Sequence, residues 1–276
     1  MPQDFFDKKG PVGCLLVHGF TGSPNELLEL GAFLTAHDVT VSIPTLPGHG
    51  THSADLFNYT WRDWFTRVKE AYEELAAVCP EVFACGLSMG GTLVLHLAAH
   101  RPVQGVVSLS APVVFPAWQV RAVRFLKSVV QYRHKKGGED VSDSMAKEKL
   151  GSYQRYPLTA VEQLFQLVRH VRQDLPEIHQ PILILHSTQD HSVSFVNSDI
   201  IYNEVGSAQK SKVDLSRSYH VITVDVEKQR VWDEVLAFIV AQSPALKTAS
   251  NKRNRQKSRR RATSAARISG TADRGS

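Results

Sequence analysis

Cysteine is scarce in this sequence. Only Cys14, Cys79 and Cys85 occur, with no Cys-x-x-Cys pair and no Cys/His cluster. The count is odd, and Cys14 and Cys85 sit inside apolar runs, so small buried thiols are expected in place of a disulfide framework. The same spacing offers no thiolate metal site, and none is predicted. Long apolar runs are also missing. None reaches the roughly 18 residues of a membrane-spanning helix. The opening Met-Pro-Gln-Asp-Phe-Phe-Asp-Lys-Lys carries acids where a secretory signal needs an apolar core. A cytoplasmic location is the resulting expectation.

Acids are nearly absent from one stretch. Residues 247–276 hold ten Lys and Arg against a single acid, Asp273, and no aromatic residue. That stretch carries +9, so the formal net charge of +5 leaves residues 1–246 at −4. The basicity therefore belongs to the tail, and it gives no reason to expect nucleic-acid binding by the body. A segment of this composition cannot bury enough apolar surface to offset its ordering entropy. It is expected to be a disordered tail whose contacts, if any, are weak, salt-sensitive ones with polyanions.

What remains, 1–246, has the length of one large domain. Apolar, β-branched runs alternate with helix-length amphipathic stretches. The pattern predicts strands over 13–17, 39–43, 81–85, 103–109, 182–186 and 212–215. It predicts helices over 24–36, capped by Ser23, and over 60–79, 89–100, 193–203 and 227–241. Strands that are apolar throughout and separated by helices imply a mostly parallel sheet covered on both faces. The rhythm breaks between Ala111 and Arg155, where no strand is predicted and Arg133-His134-Lys135-Lys136 runs into Gly137-Gly138. A long excursion of this kind predicts a small lid insertion, about 111–157.

The sharpest motif is Gly86-Leu87-Ser88-Met89-Gly90-Gly91, directly between a predicted strand and a predicted helix. That context is the one a nucleophile elbow needs, and it makes Ser88 the candidate nucleophile. An acyl-transfer site also needs backbone N–H groups aimed at the developing oxyanion. Met89, next after the nucleophile, would supply one. Phe20, in the loop Val17-His18-Gly19-Phe20-Thr21-Gly22, would supply the other. His18 is expected to hold that loop, and His49 and His52 to shape the rim of the site.

Position chooses the base and the acid. His220 follows the last predicted strand and precedes the last helix, so its loop returns to the sheet edge toward which Ser88 points. Asp190 lies in the loop after the preceding predicted strand and would fix the His220 tautomer. His191 is the rival base, but it adjoins Asp190. Asp199 and Asp214 fall inside a predicted helix and strand and fit structural roles better. The apolar residues of the insertion, Val113, Val114, Phe115, Trp118 and Phe125, would line an acyl pocket. Of these, Phe115, Trp118 and Phe125 are the candidate substrate-binding residues.

Five stretches now stand in order: 10–24 (Gly-Pro-Val-Gly-Cys-Leu-Leu-Val-His-Gly-Phe-Thr-Gly-Ser-Pro), 46–52 (Leu-Pro-Gly-His-Gly-Thr-His), 86–93 (Gly-Leu-Ser-Met-Gly-Gly-Thr-Leu), 189–193 (Gln-Asp-His-Ser-Val) and 217–220 (Arg-Ser-Tyr-His). With them, residues 5–242 resemble the bacterial carboxylesterases and monoacylglycerol lipases of the α/β-hydrolase superfamily. The resemblance implies an α/β-hydrolase fold and an acyl-serine mechanism without a cofactor. It also implies short- to medium-chain acyl esters or monoacylglycerols as small-molecule substrates, taken by a monomer or small homo-oligomer. The sequence departs from the family at Gln154, where a Glu is expected in the lipases, and at Ser194 in place of a Pro. Rival readings are hydrolysis of an amide or a carbon–carbon bond by the same triad, a slow-turnover ligand receptor, and a nucleic-acid-associated protein acting through the tail.

Overall fold

A computed structural model describes residues 4–135 and 138–247. Apart from Lys247, the basic tail lies outside the described residues. A seven-stranded sheet forms the centre, with strand order β1-β3-β2-β4-β5-β8-β9. Its strands are β1 Phe5–Asp7, β2 Val12–Val17, β3 Val39–Ile43, β4 Glu81–Leu87, β5 Gly105–Leu109, β8 Ile182–Ser187 and β9 Lys210–Leu215. Only β1 runs antiparallel, pairing Phe5 with Ile43 at the edge; every other pair is parallel.

Alternation along each buried strand feeds two cores, because successive side chains leave opposite faces. Leu15 and Val17 of β2 and Val82 and Ala84 of β4 pack under α2 Trp61–Ala76, α3 Met89–His100 and α6 Leu158–Asp174. Cys14 and Leu16, with Phe83, Cys85 and Leu87, pack under α1 Leu28–Ala36 and α8 Lys228–Gln242. Helix α7, Val196–Glu204, joins β8 to β9. The three cysteines are free and buried, and burial pushes the Cys14 thiol up to about 12. No helix of the described residues is long and apolar enough to cross a membrane.

Several elements depart from the sequence reading, which places neither β1 nor the helix α6. The stretch expected as one helix over 24–36 begins as a separate 3-10 turn, Pro24–Glu26, and α1 starts only at Leu28. There the Leu27 N–H closes back on Pro24 O at 2.9 Å, and the Ser23 hydroxyl accepts from the Asn25 N–H. The insertion expected to lack strands contains two. Tyr132–His134 (β6) pairs antiparallel with Arg155–Pro157 (β7). The ribbon is too short to show a period. It is held by its packing, with the Arg155 guanidinium 4.7 Å over the Tyr132 ring and Phe57 edge-on to the same ring. The rest of the insertion includes α4 Ala117–Leu126 and α5 Ser144–Leu150.

Candidate active site

Strand β4 ends at Leu87 and α3 begins at Met89, so the whole turn is made by Ser88 at φ 53°, ψ −120°. A positive φ at a residue with a Cβ costs of order 1–3 kcal/mol and persists only where the surroundings enforce it. Here the flanking glycines do so. A Cβ on Gly86 would stand 2.1 Å from Gly90 O, and one on Gly90 would stand 2.0 Å from Val17 O. The Ser88 N–H is tied to Leu109 O at 2.8 Å. Met89 is the first residue of α3, so its N–H has no acceptor within the helix and points out of the positive end of the helix dipole.

The neighbouring loop, Gly19–Gly22, is held from three sides. His18, fully buried, donates from Nδ1 to Gly19 O at 2.9 Å and accepts the Leu46 N–H on Nε2 at 3.1 Å. Those partners fix one neutral tautomer, and burial lowers its pKa to about 4. Gly22 N–H closes the turn on Gly19 O. The third hold is a buried acid that sequence reasoning missed. Glu26, reaching back from its 3-10 turn, accepts the Gly19 N–H on Oε2 at 2.8 Å. The carboxyl lies so close under the loop that a Cβ on Gly22 would meet Oε1 at 2.0 Å. Burial pushes the Glu26 pKa up to about 7, against the opposing hydrogen bond from Gly19 and with the nearby Glu139 adding to the rise.

His220 and Asp190 meet across two loops. Nδ1 of His220 lies 2.7 Å from Asp190 Oδ2, whose side chain is wholly buried. Burial pushes the His220 pKa down, but the charge and hydrogen bond of Asp190, with Asp140 and Glu26 behind, carry it above its ordinary value. Burial alone would raise the Asp190 pKa; His220 and His186 together hold it well below the carboxylate range. His186 is a second unpredicted partner. Its Nε2 stands 3.0 Å from Asp190 Oδ2 and 3.1 Å from Val193 O. Both are acceptors, so that nitrogen carries the proton. The backbone N–H groups of Ser192 and Val193 close on Asp190 Oδ1.

Two further acids lock these loops to the insertion. Asp140 accepts the His220 and Val221 N–H groups on its carbonyl, and its carboxylate takes the His191 N–H, the Ser192 hydroxyl and His191 Nδ1. His191 is thus turned to Asp140, away from the His220 pairing. Asp225, buried, gathers the N–H groups of Ser142, Asp143 and Tyr219. Asp199 and Asp214 lie elsewhere, both paired with Lys212.

Ser88 and His220 border one cleft of about 610 Å³, together with Phe20 and Glu26. Its lining is apolar at Phe115, Val161, Leu164 and Phe165 and polar or charged at Lys135, Glu139, Asp140 and His191. Of the three predicted substrate-binding residues, only Phe115 reaches the cleft. Trp118 and Phe125 are 68% and 77% exposed. They stand seven residues apart on one face of α4, while Gln119 and Val123, four apart, form the inward face. Val113 is buried and Val114 exposed, and neither lines the cleft. His49 is not on the rim: it is 1% exposed, edge-on to Phe20 and Trp64. His52 is exposed at the head of the 3-10 turn Ser53–Asn58. Gln154 is exposed, and its amide turns back on Ser152 O.

The family profile described as "Serine aminopeptidase, S33" matches residues 12–227. A thermostable monoacylglycerol lipase from a Bacillus species is 37% identical over 243 residues, which is 86% of this chain and 93% of that protein. A carboxylesterase from Bacillus subtilis is 31% identical over 240 residues, 86% of this chain and 96% of that one. A structure from work on LipS and LipT, two metagenome-derived lipolytic enzymes, superposes with a TM-score of 0.82 at 31% identity, covering 86% of this chain and 97% of the other.

Proposed function

Because this chain belongs to the serine aminopeptidase S33 family, with an α/β-hydrolase fold, we propose that it hydrolyses carboxylic esters with Ser88 as nucleophile, His220 as general base and Asp190 as the acid that orients it. The observation that carries this reading is the 2.7 Å contact of His220 Nδ1 with Asp190, in a cleft that His220 shares with a strained Ser88. The ester-hydrolase relatives favour an ester over an amide or a carbon–carbon bond.

The chemistry runs in two halves. His220 Nε2 takes the proton of Ser88 Oγ as the oxygen attacks the ester carbonyl, while Asp190 keeps the other ring nitrogen protonated and stabilises the imidazolium. The N–H groups of Phe20 and Met89 receive the oxyanion; a donor of this kind is worth about 10²–10³ in rate. The tetrahedral species collapses, the C–O bond to the alcohol breaks, and His220 returns its proton to the leaving oxygen. Water then attacks the acyl-serine by the same route, and the carboxylic acid leaves.

The cleft suggests how substrate lies. The apolar lining residues Phe115, Leu164 and Phe165 suit an acyl chain, and the polar ones Lys135, Glu139 and Asp140 suit a polar alcohol such as glycerol. We read the 111–157 insertion as the lid over this cleft. A panel of p-nitrophenyl esters of rising chain length, run beside monoacylglycerols, tests the assignment. Medium-chain esters and monoacylglycerols should be the best substrates. Turnover confined to acetyl esters, or to amides, would contradict it.

A further inference from the structure

Far along α3 from Ser88, two histidines and an aspartate converge. His96 and His100 are four residues apart, so both rise from one face of α3, the second nearly three turns beyond the elbow. Asp174 closes α6, the helix packed beside α3. His96 Nδ1 lies 2.5 Å from Asp174 Oδ2, and His100 Nε2 lies 3.8 Å from Oδ1. Among the described residues, no lysine or arginine forms an ion pair with Asp174, although its side chain is only 19% exposed. One carboxylate is therefore faced on both oxygens by imidazoles.

We propose that His96, His100 and Asp174 form a binding site for a late first-row divalent cation, zinc foremost. The ligand atoms already lie within 4.8 Å of one another. A tetrahedral zinc with bonds of about 2.0–2.1 Å sets its ligand atoms about 3.3 Å apart. The two observed nitrogen–oxygen separations, 2.5 and 3.8 Å, run to different oxygens of Asp174 and bracket that value, and with all three ligand atoms within 4.8 Å of one another none need close by more than about 1.5 Å. On binding, the His96 proton shared with Asp174 moves to Nε2, which frees the Nδ1 lone pair for the metal. Two imidazoles and one carboxylate suit zinc, nickel or copper better than magnesium or calcium, which favour all-oxygen sites. His100, with a side chain 47% exposed, forms the entrance, and solvent fills the remaining position.

A plain His96–Asp174 hydrogen bond explains two of these residues. The third, His100, packs edge-on against the His96 ring with 4.6 Å between centroids, which accounts for its ring position but not for its Nε2, which faces the second Asp174 oxygen from beyond hydrogen-bond range. The sequence expectation of no metal site rested on cysteine spacing, which does not see a pair of histidines on one helix joined by an acid from another. An ion here would clamp the far end of the helix that begins at the nucleophile.

Calorimetric titration of the untagged, chelator-treated chain with Zn²⁺, beside thermal melts, decides the matter without reference to the esterase assignment. The expected result is one ion per chain with micromolar or tighter affinity. The melting temperature should rise by roughly 5 °C at a hundredfold excess over Kd, and Mg²⁺ should give no rise. His100→Ala, at a half-exposed position that tolerates truncation, should weaken binding at least tenfold, as should Asp174→Asn. Removal of another exposed ring, His179→Ala, should leave binding unchanged. Absence of saturable binding, or binding that survives His100→Ala intact, overturns the site.

Discussion

The carbonyl oxygen of Asp140 accepts the backbone N–H of His220 at 3.0 Å. The insertion and the loop of the proposed general base thus share a hydrogen bond, and the Asp140 carboxylate adds its charge to the environment of the ring.

Asp190 does most to raise the His220 pKa, and Asp140 adds to it. The base must be neutral to act, and its pKa lies above the ordinary 6.5. The rising limb of kcat/KM should therefore have its midpoint above pH 6.5. Asp140→Asn removes a charge that favours the imidazolium, so the midpoint should move to lower pH. A stopped pH series on a soluble p-nitrophenyl ester measures both; a limb that stays put or moves upward would exclude Asp140 from tuning His220.

Asp190→Asn should lower kcat by about 10⁴, by leaving His220 in the wrong tautomer. Asp199→Asn and Asp214→Asn, whose carboxylates pair with Lys212, should leave kcat within about twofold, since exposed ion pairs contribute little. Steady-state kinetics with circular dichroism to confirm folding distinguishes these outcomes.

Glu26 gives a test with opposite signs in stability and activity. Its folded pKa, about 7, is raised from 4.5. The folded state therefore favours the protonated acid, and the stability this contributes is full below pH 4.5 and lost as pH rises through 7. Glu26→Gln mimics the neutral form and keeps an oxygen for the Gly19 N–H. It should be more stable than wild type at pH 8–9, by about 1–3 kcal/mol, and equal to it near pH 4.5. Glu26→Ala removes the hold on the oxyanion loop and should reduce kcat about 10- to 100-fold, within the range known for loss of an oxyanion donor. Denaturant melts at the two pH values decide the first point, and kcat the second.

The cleft predicts a split within the insertion. Phe115→Ala should lower kcat/KM for medium-chain esters about tenfold, the scale of one or two kcal/mol of lost apolar contact. Trp118→Ala and Phe125→Ala, on the outer face of α4, should change it less than twofold in solution. Equal losses at all three positions would mean that α4 turns over its face when substrate binds.

Some of this architecture is legible in the sequence because it is local. The α3 boundaries, Met89–His100, follow from the glycine-framed elbow and the apolar run behind it. The parallel sheet follows from strands apolar on both faces. The candidate triad could be placed by chain order alone, since each member sits just past a strand that ends at the same sheet edge. What escaped is long-range or marginal. β1 and β6 have three residues each, too few to show a period. Asp140 and Asp225 act on loops distant in the chain, while Glu26 and His186 fold back on loops four to seven residues away, and each reads as an ordinary polar residue until the fold brings its partners up. Trp118 and Phe125 were misplaced because amphipathicity tells which residues share a helix face, and says nothing of which face a cleft will claim.

The central claim, that Ser88 is the nucleophile, is met most directly by active-site labelling. Wild-type protein treated with an alkyl phosphonate and digested should yield one modified peptide, with the adduct on Ser88. Ser88→Ala should take up no label, retain its fold and lose about 10⁶ in kcat. Label on another residue, or turnover that persists in Ser88→Ala, would contradict the account.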